Sequence, residues 1–545
     1  MQFRVHEESG LRPEEMAGFW RAVFENLRAT KPAMKVELRG KNTPDVVIAS
    51  ALEHGFDLRI ETKYWMEQMG LPFHPVHVNP PNQHDRRHGY ADFLRYPQRY
   101  RMTWRLWNGG TSRVLLWGDP DYVRRYDSTT ALYDSPNWDV QEPLATKMEA
   151  QHPGKPTFAL MPANYQYYDY EFERYWHFFQ VWGRLGYNPE TPAEVWQRDF
   201  RRHFGSAATA LETALQVASG VLPRIVASVY PYSLFPTTRG WAERQALGAS
   251  LADYAANEGS DVELFENFSE AADRILSDGV TAKVTPEATS RWFDETADAV
   301  LKSVHDALAN GDRRGKEFDS TITDLNILAQ LARFHARRST AAVHYNLFLR
   351  GHRKAELQAA FDGEKAAVTA WRELVAVAGD RYAFDLAMGA CAKNLCGHWR
   401  DELATLEANL ARLDAQCRST PDDASASAWT PRTTGDRAPP AVLQQRIVEA
   451  PTGKPLRIVA RVTDSSGIRS LRLRYRHVTQ YEDYVTLDLQ PTGQADEYAA
   501  TIPGEFIVPE WDVMYFIEAV DREGNGTHWP DFQRDAPYVF VHLRR

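Results

Sequence analysis

Only three of the 545 residues are cysteine: Cys391, Cys396 and Cys417. So few thiols exclude a disulfide-built scaffold. The spacing of Cys391 and Cys396 matches neither a common zinc pair nor a redox CxxC motif, and all three are expected to be structural. No apolar run approaches the ~20 residues that a membrane-spanning helix needs. Positive charge is also short: 63 Lys and Arg against 73 Asp and Glu give a net charge of −10. With no basic stripe, nucleic acid is not an expected partner. The opening MQFRVHEESG lacks the basic start and apolar core of an export signal. It reads as the interior of a domain, a strand entering a site loop. The chain is therefore expected to be the C-terminal portion of a longer protein, whose upstream part would carry any export signal.

Aromatic residues are abundant, at 12% with 16 Trp. Flat apolar rings serve as sugar platforms, but large cores use Trp as well. A chain of 545 residues exceeds one domain, and about two to four are expected.

The stretch DLRIETKYWMEQMGL over 57–71 organises the first part. Arg59, Glu61 and Lys63 alternate with Leu58, Ile60 and Thr62, so a strand would carry charges on one face and apolar residues on the other. The segment from Met34 to Gly40 and the segment YRMTWRLW from Tyr100 repeat the pattern. Phe3–His6 reads as a further strand. Helices are expected at Leu11–Thr30 and near Val46–His54, Pro13 suiting a first turn. Strands alternating with helices predict a parallel α/β unit, helices outside and a polar site inside. Carboxylates follow the strand ends, in His6–Ser9, Arg39–Asp45 and Glu61–Glu67, where barrel enzymes place chemistry. A long polar loop, Leu71–Tyr90, holds His74, His77, His84 and His88. No supporting metal-ligand spacing accompanies them, and no metal or cofactor is expected. Val114–Trp117 reads as another strand. Asp119 and Asp121 sit at a helix cap, and Ser135–Leu144 reads as an irregular rim loop. Thr191, Pro192 and Glu194 read as a helix start.

The whole is expected to be multidomain: part of a (β/α)8 TIM-type barrel, about strands 4–8, over 1–160; an α-helical domain over 161–417; a Ser/Pro-rich linker over 418–440; and an antiparallel β-sandwich of immunoglobulin or fibronectin III kind over 441–545. The sandwich reads as an attached module, and the helices as a surface for a homodimer.

Three segments, in order, carry a resemblance. FRVHEESG, GKNTPDVVIASA and IETKYWMEQMG are similar to the acid loop, the Lys-Asn-Gly-Pro-x-Asp segment and the E-F-Q-x-x-Q-E-Y-x-G segment of the α-glucuronidases of glycoside hydrolase family 67. DSPNWDVQEPLA and WGRLGYNPETPAEVW look like two later segments of that family. Thr43 stands where the family has Gly, Glu-Ser-Gly is reordered, and Met66-Glu67-Gln68 replaces Gln-Glu-Tyr. The resemblance covers about residues 1–205 and implies a barrel with a helical domain. It implies Glu8, with Glu7 as substitute, as general acid, and Asp45 and Glu67 as bases activating water. Strand parity favours Glu61 over Glu67; the resemblance favours Glu67. Arg39, Lys41, Arg59, Lys63 and Arg105 are candidates for gripping a substrate carboxylate, or for an ion-pair network with Glu37 and Glu61. Trp65, Trp107, Trp117 and Trp138 are candidate sugar platforms, and Asn137 a substrate contact.

The expected function is a glycosidase acting on a uronic-acid-bearing glycan by carboxylate acid/base catalysis. The alternatives are a non-catalytic carbohydrate-binding or scaffold protein derived from a truncated barrel, and a polysaccharide lyase.

Overall fold

A computed structural model describes residues 1–5, 10–63, 87, 89–106, 114–130, 133, 135, 137–143, 160–229, 242–244, 250–259, 262–386, 396–421, 427–430, 435, 437–532, 534 and 538–545. Its N-terminal part is built on a five-stranded sheet, β1 (Gln2–Arg4), β2 (Lys35–Arg39), β3 (Asp57–Lys63), β4 (Arg101–Leu106) and β5 (Trp138–Val140), in that spatial order. Every pairing is parallel. Between strands lie α1 (Pro13–Thr30), α2 (Asp45–Glu53) and α3 (Pro120–Thr129).

Period-two alternation decides which face packs. Val36, Leu38, Leu58, Ile60, Met102, Trp104 and Leu106 are all buried on one side. Helix α1 supplies Met16, Trp20 and Phe24 at successive turns to the same core, and Phe3 meets the Trp20 ring edge-on at 5.3 Å. Phe19, one residue off that stripe, is exposed. The opposite face is polar and concave. Thr103 of β4 donates to Glu37 of β2 at 2.8 Å, and Gln2 of β1 reaches Glu61 of β3. Side chains two strands apart meet in this way only when the sheet curls around them.

Residues 114–117, expected as a strand, form none. Their amides are satisfied by carboxylates from the helical region instead. Val114 and Leu115 donate to Glu243 at 2.7 and 2.9 Å, and Leu116 donates to Asp324 at 2.9 Å. Gly118 follows, where an added Cβ would lie 2.0 Å from His177.

The helical region includes Trp176–Leu185, Glu194–Phe204, Pro286–Asn310, Lys316–Gly351, Lys354–Ala378 and Trp399–Ser419. The start expected at Thr191 falls later: Ala193 is the cap. The Thr191 hydroxyl instead donates to the Asn188 carbonyl at 2.6 Å, which spends it on the preceding turn. Cys396 is disulfide-bonded, whereas Cys417 is a buried free thiol. Cys391 lies outside the described residues.

The C-terminal part is a sandwich whose strands pair antiparallel except Val539–Arg544 with Glu449–Pro451, which run parallel. One sheet runs β10 (Val485–Asp488), β9 (Ile468–His477), β13 (Val513–Asp521), β15 (Val539–Arg544) and β7 (Glu449–Pro451), with β14 (Gly526–Trp529) also pairing β13. The other runs β11 (Gln490–Pro491), β12 (Glu497–Ile502), β8 (Leu456–Thr463) and β6 (Ala441–Leu443). It is no loosely tethered module. Val513, Tyr515 and Ile517 of β13 face the sandwich core, while Met514 and Phe516 belong to the core shared with the sheet and helices. Its loops clamp the segment before β4: Ala91 donates to Gln480 at 2.7 Å, and Tyr96 donates to Asp512 at 3.1 Å. The expected linker is seated too, the Trp429 amide donating to Glu356 at 2.8 Å. Tyr96→Phe, which removes one hydrogen bond to a carboxylate, is expected to cost about 1–3 kcal/mol in urea unfolding. An unchanged midpoint would mean that the clamp contributes nothing.

Candidate functional site

The polar face holds its side chains in rows set by strand register. Gln2, Glu37, Arg59 and Arg101 form one row; Arg4, Arg39, Glu61 and Thr103 the next; Arg105 and Asp139 the third. Among these described side chains five are cations and three are carboxylates, so the face is cationic overall.

Glu61 is buried, with its side chain 1% exposed, and ion-pairs with Arg105 at 3.2 Å. Gln2 donates to its other oxygen. The same guanidinium approaches Asp139, Nε to Oδ2 at 3.9 Å. Arg59 donates to Asn137 at 3.0 Å, joining β3 to the residue just before β5. Arg39 and Lys41 are buried at the end of β2. Arg105 of β4 thus bridges carboxylates on the two strands that flank it, β3 and β5, toward the carboxyl end where parallel α/β folds place their chemistry.

Asp139 is the carboxyl with the altered acidity. Burial pushes its pKa up from 3.8 to about 7, and the charges of Glu61 and Glu37 push the same way against Arg105 and Arg39. Its side chain is still 48% exposed, so it can exchange protons with a ligand. Beside it opens a cleft of about 790 Å³, lined by Asn137, Trp138, Asp139, Glu142, Phe179 and Tyr187 among others. A carboxyl poised near neutrality can give or take a proton at physiological pH. Because ionisation is harder in the folded chain, Asp139 contributes stability below its ordinary range of 3.8, and that contribution is lost as pH rises through about 7. Asp139→Asn is therefore expected to raise Tm near pH 8 and leave it unchanged near pH 3. An equal shift at both pH values would contradict the raised acidity.

The other candidates are distributed unevenly. Asp45 is the first residue of α2, 83% exposed, and pairs with Arg87 at 2.8 Å. Trp117, read as a sugar platform, is core instead: it is 2% exposed, stacks on Trp182 at 5.9 Å and donates to the Ser219 carbonyl at 3.1 Å. Trp138 shares the packed face with Trp104, and its indole donates to Asp127 at 2.8 Å. It lines the cleft from behind the polar face rather than from within it. Asp119 is the helix cap, accepting from Asp121 and Tyr122 at 3.0 and 3.1 Å. Asp121, expected to cap as well, lies inside the first turn and pairs with Arg124. Glu7, Glu8, Trp65, Glu67, Trp107 and the four loop histidines lie outside the described residues. Lys63 is placed in β3, and its side chain lies outside them too.

Asp139 escaped the sequence reading because three residues after a proline make too short a strand to recognise. The signal was present: Asn137-Trp138-Asp139-Val140 alternates polar and apolar, which gives Asp139 the parity of Arg105.

No family model and no curated protein matches the chain. Its fold is similar to that of a GH138 enzyme targeting pectin rhamnogalacturonan II, with a TM-score of 0.60 and 15% sequence identity over 74% of this chain. The likeness is one of fold. The match spans 60% of that enzyme's chain.

Proposed function

We propose that the chain forms part of a barrel glycoside hydrolase that cleaves a uronic-acid-bearing glycan. Asp139 carries the reading: a carboxyl near neutrality, facing a cleft, beside a face where cations outnumber carboxylates. Asp139 is the proton donor to the leaving oxygen. Arg105 and Glu61 hold it, and Arg39, Lys41 and Arg59 attract the substrate carboxylate. The second carboxylate, activating water, is drawn from Asp45 or Glu67, the bases that the family 67 resemblance implies, while Asp139 takes the acid role that the resemblance gives to Glu8 or Glu7. The concave parallel sheet supports a partial barrel, and the likeness to a pectin-targeting enzyme supports a glycan substrate. The disulfide at Cys396 fits an oxidising compartment, where extracellular glycans are met. The division into 1–160, 161–417, a linker over 418–440 and 441–545 is kept as a proposal, with the three domains packed together.

The test is release of reducing sugar from uronic-acid-substituted oligosaccharides, with carboxyl-reduced oligosaccharides as the comparison. Faster cleavage of the acidic set supports the reading, and no cleavage of either overturns it. kcat/KM is expected to fall as pH rises through about 7, because a general acid must be protonated to act.

A second reading, a non-catalytic carbohydrate-binding protein, is favoured by one observation: among the described residues, β1 and β5 are the two ends of the sheet. It predicts saturable glycan binding without turnover.

A further inference from the structure

A second cleft, of about 610 Å³, lies between the N-terminus of α3, the segment Gln216–Arg224 and the helix Pro286–Asn310. It shares no lining residue with the cleft beside Asp139, and its volume falls in the range of small-ligand sites, about 300–1,000 Å³. Its chemistry is that of acidic-sugar recognition. Arg224 is buried, its guanidinium held over the rings of Phe265 at 4.6 Å and Trp292 at 4.8 Å. Such a cation is fixed in orientation and weakly hydrated, so a carboxylate meets it at little reorganisation cost. Arg125 lines the same cleft over Tyr122, and Arg534 reaches it from the sandwich. The cleft's own carboxylates are shared with its arginines: Asp119 caps α3 and feels the Arg125 charge, while Asp121 pairs with Arg124 at 3.0 Å and accepts from Gln216 at 3.2 Å; Arg125 also donates to the Asp121 carbonyl, and Arg534 pairs with Asp531 at 3.6 Å. Indole, guanidinium and amide together suit a sugar ring that bears a carboxylate.

We propose that this cleft is a second, non-catalytic binding site for a uronic-acid-bearing oligosaccharide, holding the glycan away from the reacting centre. The inference rests on the acidic-glycan reading above. The test is calorimetric titration of the Asp139→Asn chain with a glucuronic-acid-bearing oligosaccharide, its carboxyl-reduced counterpart and sodium acetate. Two binding events are expected for the acidic oligosaccharide. Trp292→Ala and Arg125→Ala, each checked for a native circular dichroism spectrum and melting transition, are expected to weaken one event roughly 10- to 100-fold. Loss of that event in Arg125→Ala alone, should Trp292→Ala unfold, supports the site equally. A single event, equal binding of the carboxyl-reduced sugar, or equal binding of acetate overturns it. Two events without hydrolysis by the unsubstituted chain would remove the enzyme reading and leave this site standing.

Discussion

Asp139→Asn is expected, on the acid role proposed for Asp139, to lower kcat on an acidic oligosaccharide by about 10²- to 10⁴-fold, the contribution of a positioned general acid, with KM little changed. The argument follows from where the residue sits. Burial and the charges of Glu61 and Glu37 oppose its ionisation, so at neutral pH a large share of Asp139 carries a proton. Asparagine keeps the shape and loses that proton. Glu61→Gln separates positioning from acid catalysis. Glu61 raises the Asp139 pKa by its charge and holds Arg105 at 3.2 Å. Removing the charge lowers that pKa and releases Arg105 toward Asp139, which lowers it further. The alkaline limb of the pH profile therefore moves to lower pH in Glu61→Gln. A variant of Asp139 with undiminished kcat, or a limb that stays in place in Glu61→Gln, would refute these roles.

Asp324→Ala is expected to destabilise the chain by about 3–5 kcal/mol, the cost of stranding a buried charge. Asp324 and Arg174 are both fully buried and pair at 2.5 Å. Tyr382 donates to the other carboxylate oxygen, and Ser320 accepts from Arg174 at 2.9 Å. Alanine leaves the Arg174 charge uncompensated and takes the acceptor from the Leu116 amide. The double variant Arg174→Met, Asp324→Leu is expected to recover most of the loss, since an apolar pair of similar size needs no compensation. Denaturant unfolding of the two single variants and the double variant measures this. Losses that simply add would contradict the coupling. The effect reaches the candidate site because residues 114–118 lead into α3, and α3 leads to β5 and Asp139.

Alternation made much of the N-terminal part legible. Leu58, Ile60 and Thr62 against Arg59, Glu61 and Lys63 announced a strand with one polar face, and the same parity in Lys35–Arg39 and Arg101–Leu106 announced its neighbours. Local signals of this kind survive folding because a one-residue slip would exchange the faces of the whole strand. The β-rich stretch expected over 441–545 holds β6 to β15, with β8, β9 and β13 its longest strands. The misreadings have a common cause. Val114–Trp117 has strand composition, but its amides bond to carboxylates more than a hundred residues away. Trp117 has the character of a platform, yet Trp182 and Ser219 enclose it. Both outcomes depend on which distant helix arrives, and no window of sequence contains that.

The sequence by itself determined the order of β1 to β4 with α1 and α2 between them, the polar face with Glu61 on it, and the β-rich character of the last hundred residues, because each is written in nearest-neighbour periodicity. Only the tertiary structure decided that Arg105 joins Glu61 to Asp139, that Asp139 is pushed toward neutrality, and that β13 serves two cores at once. Acidity and ion pairing depend on burial and on charges brought close through space, and those distances exist only once the sheet has curled and the helices have closed over it.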